Sequence, residues 1–285
     1  MVKKVSSFFK GTYLGLMLLF LYAPILFLIL YSFNDSFTLG NWVGFTFKNY
    51  VKLLNDREVV KAIMTTLELA IVSSIVATVV GTAAAIGLMS LKKRFRTLVL
   101  NVSQLPMVNP DLVTGISFMM LFTFMNMLRG KIGMGNMDDM VRLLIAHISF
   151  NLPYVIFSVL PRLRQSSNMM YEAAMDLGCT PLQALWKVVI PDIRPGIVSG
   201  FIMAFTMSLD DFVVSYFAGN GLHNNLSMYI YSAVGKAKGV NPAISTIIFI
   251  PVVTLLLIVN IRSLRKERED EIQNKKVKLK KGNEA

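Results

Sequence analysis

The chain has 285 residues, 54% hydrophobic and only 16% charged, with a mean hydropathy of +0.56; this is too apolar for an ordinary soluble domain. One cysteine and two histidines exclude an intrachain disulfide and a Cys-rich metal cluster. A formal net charge of +12 calls for a membrane surface or nucleic acid as partner, and the placement of the basic residues decides between them.

A bilayer core about 30 Å thick takes ~20 mostly apolar helical residues to cross. Six stretches reach or approach that length: Tyr13 to Phe33, Ala62 to Met89, Leu98 to Met127, Val141 to Leu160, Ile197 to Ala218 and Ala243 to Ile261. The expected fold class is all-α integral membrane, with six transmembrane helices in residues 1–262 and a basic tail in 263–285. Lys3, Lys4 and Lys10 give the first span the look of a secretory signal. It is too long for one and lacks a small-x-small cleavage site, so it reads as a retained anchor. With the N-terminus inside, the cytoplasmic segments hold 20 Lys and Arg against 9 outside, which puts both termini in the cytoplasm. The tail, with Arg262, Arg265, Lys266, Arg268 and the Lys275 to Lys281 cluster, is then explained by that bias and by anionic lipid rather than by nucleic acid.

Glu68, near the outer end of the second span, reads as a snorkelling side chain. The third span is broken at Leu105-Pro106-Met107-Val108-Asn109-Pro110-Asp111, where two prolines interrupt an apolar run. Irregular backbone at membrane depth must be covered by protein or face a water-filled cavity. Two readings of Asp111 stand side by side. In one, Asn109 caps a new helical half, Pro110 takes its first position and Asp111 complements the dipole. In the other, Asp111 lines a substrate pathway. His147, Asn151 and Pro153 in the fourth span read as hydrogen-bonded core residues.

Residues 162–196 form an ordered cytoplasmic loop. Met170, Ala173, Ala174 and Leu177 give a short amphipathic helix that Gly178 ends; Thr180 caps a second, with Pro181 at its first position. Leu182, Leu185, Trp186 and Val189 form an apolar stripe on that second helix, and Pro191 and Pro195 close the unit. Such a pair of helices suits a groove in another protein or an interfacial position against lipid.

The fifth span carries Ser208-Leu209-Asp210-Asp211-Phe212, adjacent carboxylates about halfway along an apolar helix. They are costly there unless they face partners or a cavity. Gly200, Ala204, Ser208, Asp211 and Ser215 make a small, polar stripe on that helix. It serves either close helix packing, with the aspartates accepting hydrogen bonds, or a cation pathway, which is the preferred reading.

The loop sequence Glu172-Ala173-Ala174-Met175-Asp176-Leu177-Gly178, continuing to Val189-Ile190-Pro191, resembles the EAA loop of ABC-importer permeases. Within that family the chain most resembles the permease subunits of polyamine importers, up to its Lys-rich tail. The supporting segments are Tyr22-Ala23-Pro24-Ile25, Asn41-Trp42-Val43-Gly44-Phe45-Thr46, Pro110-Asp111-Leu112-Val113 and Ser208-Leu209-Asp210-Asp211-Phe212-Val213. The resemblance implies a type I importer permease in the bacterial cell membrane that moves spermidine or putrescine inward. It also implies Glu172, Ala173, Ala174, Gly178 and Pro191 as the ATPase-coupling loop. The implied partners are a homologous permease, a cytoplasmic ATPase dimer and an extracytoplasmic polyamine-binding protein. For a flexible chain of ammonium groups, Asp111, Asp210 and Asp211 offer carboxylates, while Tyr22, Trp42 and Tyr216 offer aromatic faces.

No phosphate-binding loop of the G-x-x-x-x-G-K-[ST] type occurs, so ATP hydrolysis is expected in a separate subunit. No constellation for catalysis, a metal or another cofactor is present, and an enzyme is the weakest class. The rivals are an ABC permease for another small solute and an ion-coupled secondary transporter, which also uses broken helices and buried carboxylates. The EAA-like loop argues against the latter.

Overall fold

The long apolar runs are helices in the computed structural model, which describes residues 2–35, 41–108, 111–165, 168–234 and eight positions between 243 and 254. In chain order they are α1 (Val2–Ser32), α2 (Lys48–Asn55), α3 (Arg57–Ser90), α4 (Lys93–Val108), α5 (Asp111–Lys131), α6 (Asp139–Gln165), α7 (Asn168–Asp176), α8 (Pro181–Ala184), a π-helical turn (Leu185–Val189), α9 (Ile190–Asp210), α10 (Val213–Ala218) and α11 (Leu226–Val234). Among the described residues five segments are long and apolar enough to cross a membrane: Thr12–Ser32, Arg57–Ser90, Asp111–Lys131, Asp139–Gln165 and Pro181–Asp210. The expected sixth span lies largely outside the described residues, as does the whole tail, although the eight described positions between 243 and 254 are helical.

Two expected spans are corrected. The third is two helices, as its broken sequence suggests, but only α5 of them qualifies as a span. The reasons are length and polarity: α4 has 16 residues, opens with Lys93, Arg94 and Arg96 and goes on to Asn101, Ser103 and Gln104. Pro106 sits inside α4 rather than breaking it, and Asn109 and Pro110 are outside the described residues. The fifth span is no continuous helix to Ala218, since α9 stops at Asp210 and α10 starts at Val213.

The chain divides into two compact units, residues 1–55 with 236–285 and residues 56–235. In the first, Asn34 ties the segment after α1 to residues 41–44: its Nδ2 donates to the Asn41 carbonyl at 2.7 Å and its Oδ1 accepts from the Val43 N–H at 2.9 Å. Asn49 Nδ2 then donates to the Ser32 and Asn34 carbonyls, which joins α2 to the end of α1. Phe33, Phe45, Phe47 and Tyr50 pack ring against ring around this junction.

In the second unit, small side chains let α3, α6 and α9 approach closely. Ala70, Ser73, Ser74, Ala77, Gly81 and Ala85 repeat at helical spacing along one buried face of α3. A Cβ on Gly81 would fall 2.8 Å from Val155 Cβ, and one on Gly200 would fall 3.2 Å from Val155 Cγ1, so Val155 of α6 is seated between the other two helices. Lipid supplies no hydrophobic drive between apolar helices, so such contact and interhelical hydrogen bonds hold them together. A second cluster of Leu69, Phe122, Leu143, Ala146, Val214 and Ala218 joins α5 and α10 to the bundle.

Candidate functional site

The break between α9 and α10 is made by one side chain. Asp211 leaves the helix with φ −67° and ψ 124°, an extended conformation. Its Oδ1 accepts from the Val214 N–H at 3.1 Å, and its Oδ2 accepts from the Ser215 N–H at 2.8 Å and the Ser215 hydroxyl at 2.7 Å. A carboxylate that takes up the first free N–H groups of a helix is a cap, and a cap cannot also sit within a continuous helix. The adjacent aspartates therefore stand on either side of a helix end.

Asp210 and Asp211 both line a cavity of about 300 Å³ that Asp111, Thr114, Phe150, Tyr154, Thr206 and Phe212 also line. The start of α5 supplies Asp111, the middle of α6 supplies Phe150 and Tyr154, and the end of α9 supplies Thr206 and Asp210. Asp210 is exposed, while the Asp211 side chain keeps 9% of its accessibility. Among the described residues the contacts between a basic side chain and a carboxylate are Lys48–Asp35, His147–Asp211 and His223–Asp139, the two histidine contacts being ionic only when the ring is protonated, so Asp111 and Asp210 have no protein cation there. Two uncompensated carboxylates beside aromatic rings make a place for a cation.

Behind the break lies a polar network. His147, fully buried, places Nδ1 2.7 Å from Ser208 Oγ and Nε2 2.9 Å from Ser215 Oγ, with Asp211 Oδ2 3.5 Å from Nε2. Asn151 Nδ2 donates to Ser208 Oγ at 3.1 Å, and Ser73 Oγ of α3 is 2.8 Å from the same atom. Asn225 Nδ2 donates to the Asp211 carbonyl at 2.7 Å and to Ser215 Oγ at 2.9 Å. His147 and Asn151 are the hydrogen-bonded core residues that the sequence suggested. Ser73 and Asn225 escaped that reading, as did Tyr154, Phe150 and Thr206. The small-polar face of α3 was the one available signal for Ser73.

The expected aromatic residues belong to different units. Tyr216, half exposed, packs on Phe212 at 5.5 Å between ring centroids, and Tyr231 packs on Phe212 at 4.6 Å. Tyr22 and Trp42 belong to the first unit, and Trp42 meets Tyr31 edge-on at 6.1 Å. Glu68 is exposed on α3.

The loop after α6 folds largely as its sequence suggests. Gly178 has φ +86°, its N–H donates to the Met175 carbonyl and the Cys179 N–H donates to the Ala174 carbonyl, the two bonds of a Schellman ending for α7. Thr180 and Gln183 form a capping box at the start of α8. Pro191 and Pro195 do not close the unit, however. Helix α8 runs through the π-turn into α9, with Pro191 near the α9 start and Pro195 inside it. The wider π-turn absorbs the irregularity, with the Ile190 N–H donating to the Leu185 carbonyl. Ala174 is buried, Glu172 and Ala173 are exposed, and Leu177, Leu182 and Trp186 stand 87%, 69% and 66% exposed. This is an apolar surface on a rigid two-helix scaffold.

Known proteins resemble the chain at both levels. The family model described as "Binding-protein-dependent transport system inner membrane component" matches residues 77–264. The putrescine transport system permease protein PotI of Escherichia coli (strain K12) is 37% identical over 230 residues, 80% of each chain. The spermidine/putrescine transport system permease protein PotC of the same strain is 33% identical over 255 residues, 90% of this chain and 92% of that one. PotC of Haemophilus influenzae is 32% identical over 261 residues, 91% and 97% of the two chains. A solved bacterial ABC transporter that imports the acidic polysaccharide alginate shares the fold, with TM-score 0.70 at 17% identity over 93% of this chain and 97% of that one. A second structure of an alginate transporter, in complex with its periplasmic protein, has TM-score 0.67 at 17% identity and covers 92% of this chain and 96% of that one.

Proposed function

Because the chain belongs to the binding-protein-dependent transport system inner membrane component family, we propose that it is a permease subunit of an ATP-driven importer for polyamines. As a multi-pass inner-membrane transport subunit it performs no hydrolysis itself. The substrate class rests on one observation, the cavity in which Asp111 and Asp210 have no protein cation among the described residues while aromatic rings line the walls. Spermidine and putrescine are chains of ammonium groups separated by methylenes. Carboxylates replace part of the hydration each ammonium loses, aromatic faces hold its charge and the methylenes, and the low dielectric of the passage strengthens both. The names of the PotI and PotC relatives support the same cargo.

The same reading supplies the partners. A homologous second permease completes the passage, and a cytoplasmic ATPase dimer docks on the loop built from Glu172, Ala173, Ala174, Gly178 and Pro191. An extracytoplasmic protein delivers the polyamine. Both termini lie in the cytoplasm, which turns residues 162–196 toward the ATPase, while the basic tail lies against anionic lipid.

The test is uptake of radiolabelled spermidine and putrescine by a transporter-deficient host carrying the complete importer. Asp210→Asn keeps the volume and removes the charge, so uptake per assembled complex should fall about tenfold or more, as expected when a charged hydrogen-bonding group is lost. Wild-type uptake from the Asp111→Asn, Asp210→Asn double variant rejects the site.

A further inference from the structure

We infer that Asp211 and His147 are positioning residues, and that a directed hydrogen-bond chain from Ser73 through Ser208, His147 and Ser215 to Asp211 holds the break between α9 and α10 so that Asp210 alone of the pair meets the cation. This rests on the polyamine reading for the cargo, but its geometry is independent of that reading.

The direction of the chain follows from counting protons. Asn225 Oδ1 accepts from the Met228 N–H at 2.8 Å, so its Nδ2 faces the Asp211 carbonyl and Ser215 Oγ. Ser215 has one hydroxyl proton, and Asp211 Oδ2 at 2.7 Å is an acceptor only, so the proton goes there. The Ser215 oxygen then accepts from Asn225 and from His147, and Nε2 must carry the hydrogen of that 2.9 Å contact. At the other end, Ser208 already accepts from Asn151 Nδ2. Its two remaining neighbours are His147 Nδ1 at 2.7 Å and Ser73 Oγ at 2.8 Å, and with one proton left it donates to one and accepts from the other. A neutral imidazole resolves this: Ser208 donates to Nδ1 and Ser73 donates to Ser208. An imidazolium would reverse both, and would leave Ser73 only the Ala70 carbonyl at 3.5 Å as acceptor.

The arrangement divides the work between adjacent carboxylates. Asp211 accepts two backbone N–H groups and one hydroxyl, and His147 stands behind it. Its oxygens are occupied by the protein, whereas Asp210 has no ion-pair partner among the described residues and faces the cavity. A cap needs an acceptor oxygen rather than a charge, and Asn caps about as well as Asp. Position 211 should therefore tolerate a neutral amide that position 210 does not.

The experiment uses the full importer in proteoliposomes, with uptake of labelled spermidine and binding-protein-stimulated ATP hydrolysis both read per assembled complex. Asp211→Asn should stay within about threefold of wild type, because its one oxygen still caps α10 although its amide nitrogen faces a stranded donor, whereas Asp211→Ala should lose at least about tenfold, because three donors are stranded. Solid-state ¹⁵N spectra of the complex, with only this chain's two histidines labelled and His223→Gln to assign them, should give His147 a bare Nδ1 and a protonated Nε2. The inference is overturned if Asp211→Asn falls as far as Asp210→Asn, if Asp211→Ala transports like wild type, or if His147 carries hydrogen on Nδ1. Should Asp210→Asn leave uptake unchanged, the polyamine reading falls instead. The Asn-over-Ala order at position 211, read in ATP hydrolysis, and the His147 spectrum then still decide the positioning role.

Discussion

Asp139 opens α6 and closes the loop that follows α10. Its carboxylate, almost fully buried, accepts from the backbone N–H groups of Asn220, Leu222 and His223, and His223 Nδ1 stands 3.4 Å away. Three donors on one carboxylate fix the path of a loop that has no regular structure of its own. Asp139→Ala strands them, at a cost of about 3 kcal/mol in folded-state stability. The expected outcome is a lower unfolding temperature of the detergent-purified complex, with faster protease nicking between residues 219 and 225. Asp139→Asn, which keeps one acceptor, should fall between. An Asp139→Ala complex that unfolds like wild type would remove Asp139 from the loop's support.

At the scale of elements, the turn between α7 and α8 isolates backbone conformation from packing. A Cβ on Gly178 would meet nothing within 4 Å, but the residue has φ +86°. Any effect of substitution there is conformational, since a β-branched side chain resists a positive φ whereas asparagine accepts it more readily. Gly178→Val should insert in the membrane yet lose most binding-protein-stimulated ATP hydrolysis, while Gly178→Asn should keep most of it. ATP hydrolysis measured on the reconstituted complex decides this, and equal activity of the two variants would break the link between the turn and coupling.

The same elements mark what can be read from a sequence. Gly178, Thr180 and Pro181 are local signals, because each side chain or its absence sets its own backbone, and all three appear where their order in the chain suggests. The break at Asp211 has no such signal. Ser208-Leu209-Asp210-Asp211-Phe212-Val213 contains neither proline nor glycine and reads as helix. What opens it is an acceptor for α10's first N–H groups, backed by His147 from more than sixty residues upstream. The π-turn at Leu185–Val189 is hidden for another reason: apolar periodicity does not separate a helix of one pitch from a short stretch of a slightly wider one. Asp111 and Asp210 were legible as intramembrane charges, but their meeting in one cavity is a product of the bundle.

At the largest scale, within residues 56–235, α3, α6 and α9 are closely packed, with Gly81 and Gly200 against Val155, and the cavity opens where α9 gives out. The cavity is thus lined by α5 and α6 on one side and by the α9–α10 junction on the other. Helix α8 is continuous with α9 through the π-turn, so one helical run leads from the two-helix loop to Ser208 and Asp210 at the end of α9. The most direct measurement is ATP-driven uptake of labelled spermidine and putrescine by proteoliposomes holding this chain with its partner permease, ATPase dimer and binding protein. Uptake should require both ATP and the binding protein, and should fall about tenfold or more with Asp210→Asn. Uptake driven by an ion gradient in the chain alone, or undiminished after Asp111→Asn and Asp210→Asn together, would contradict the account.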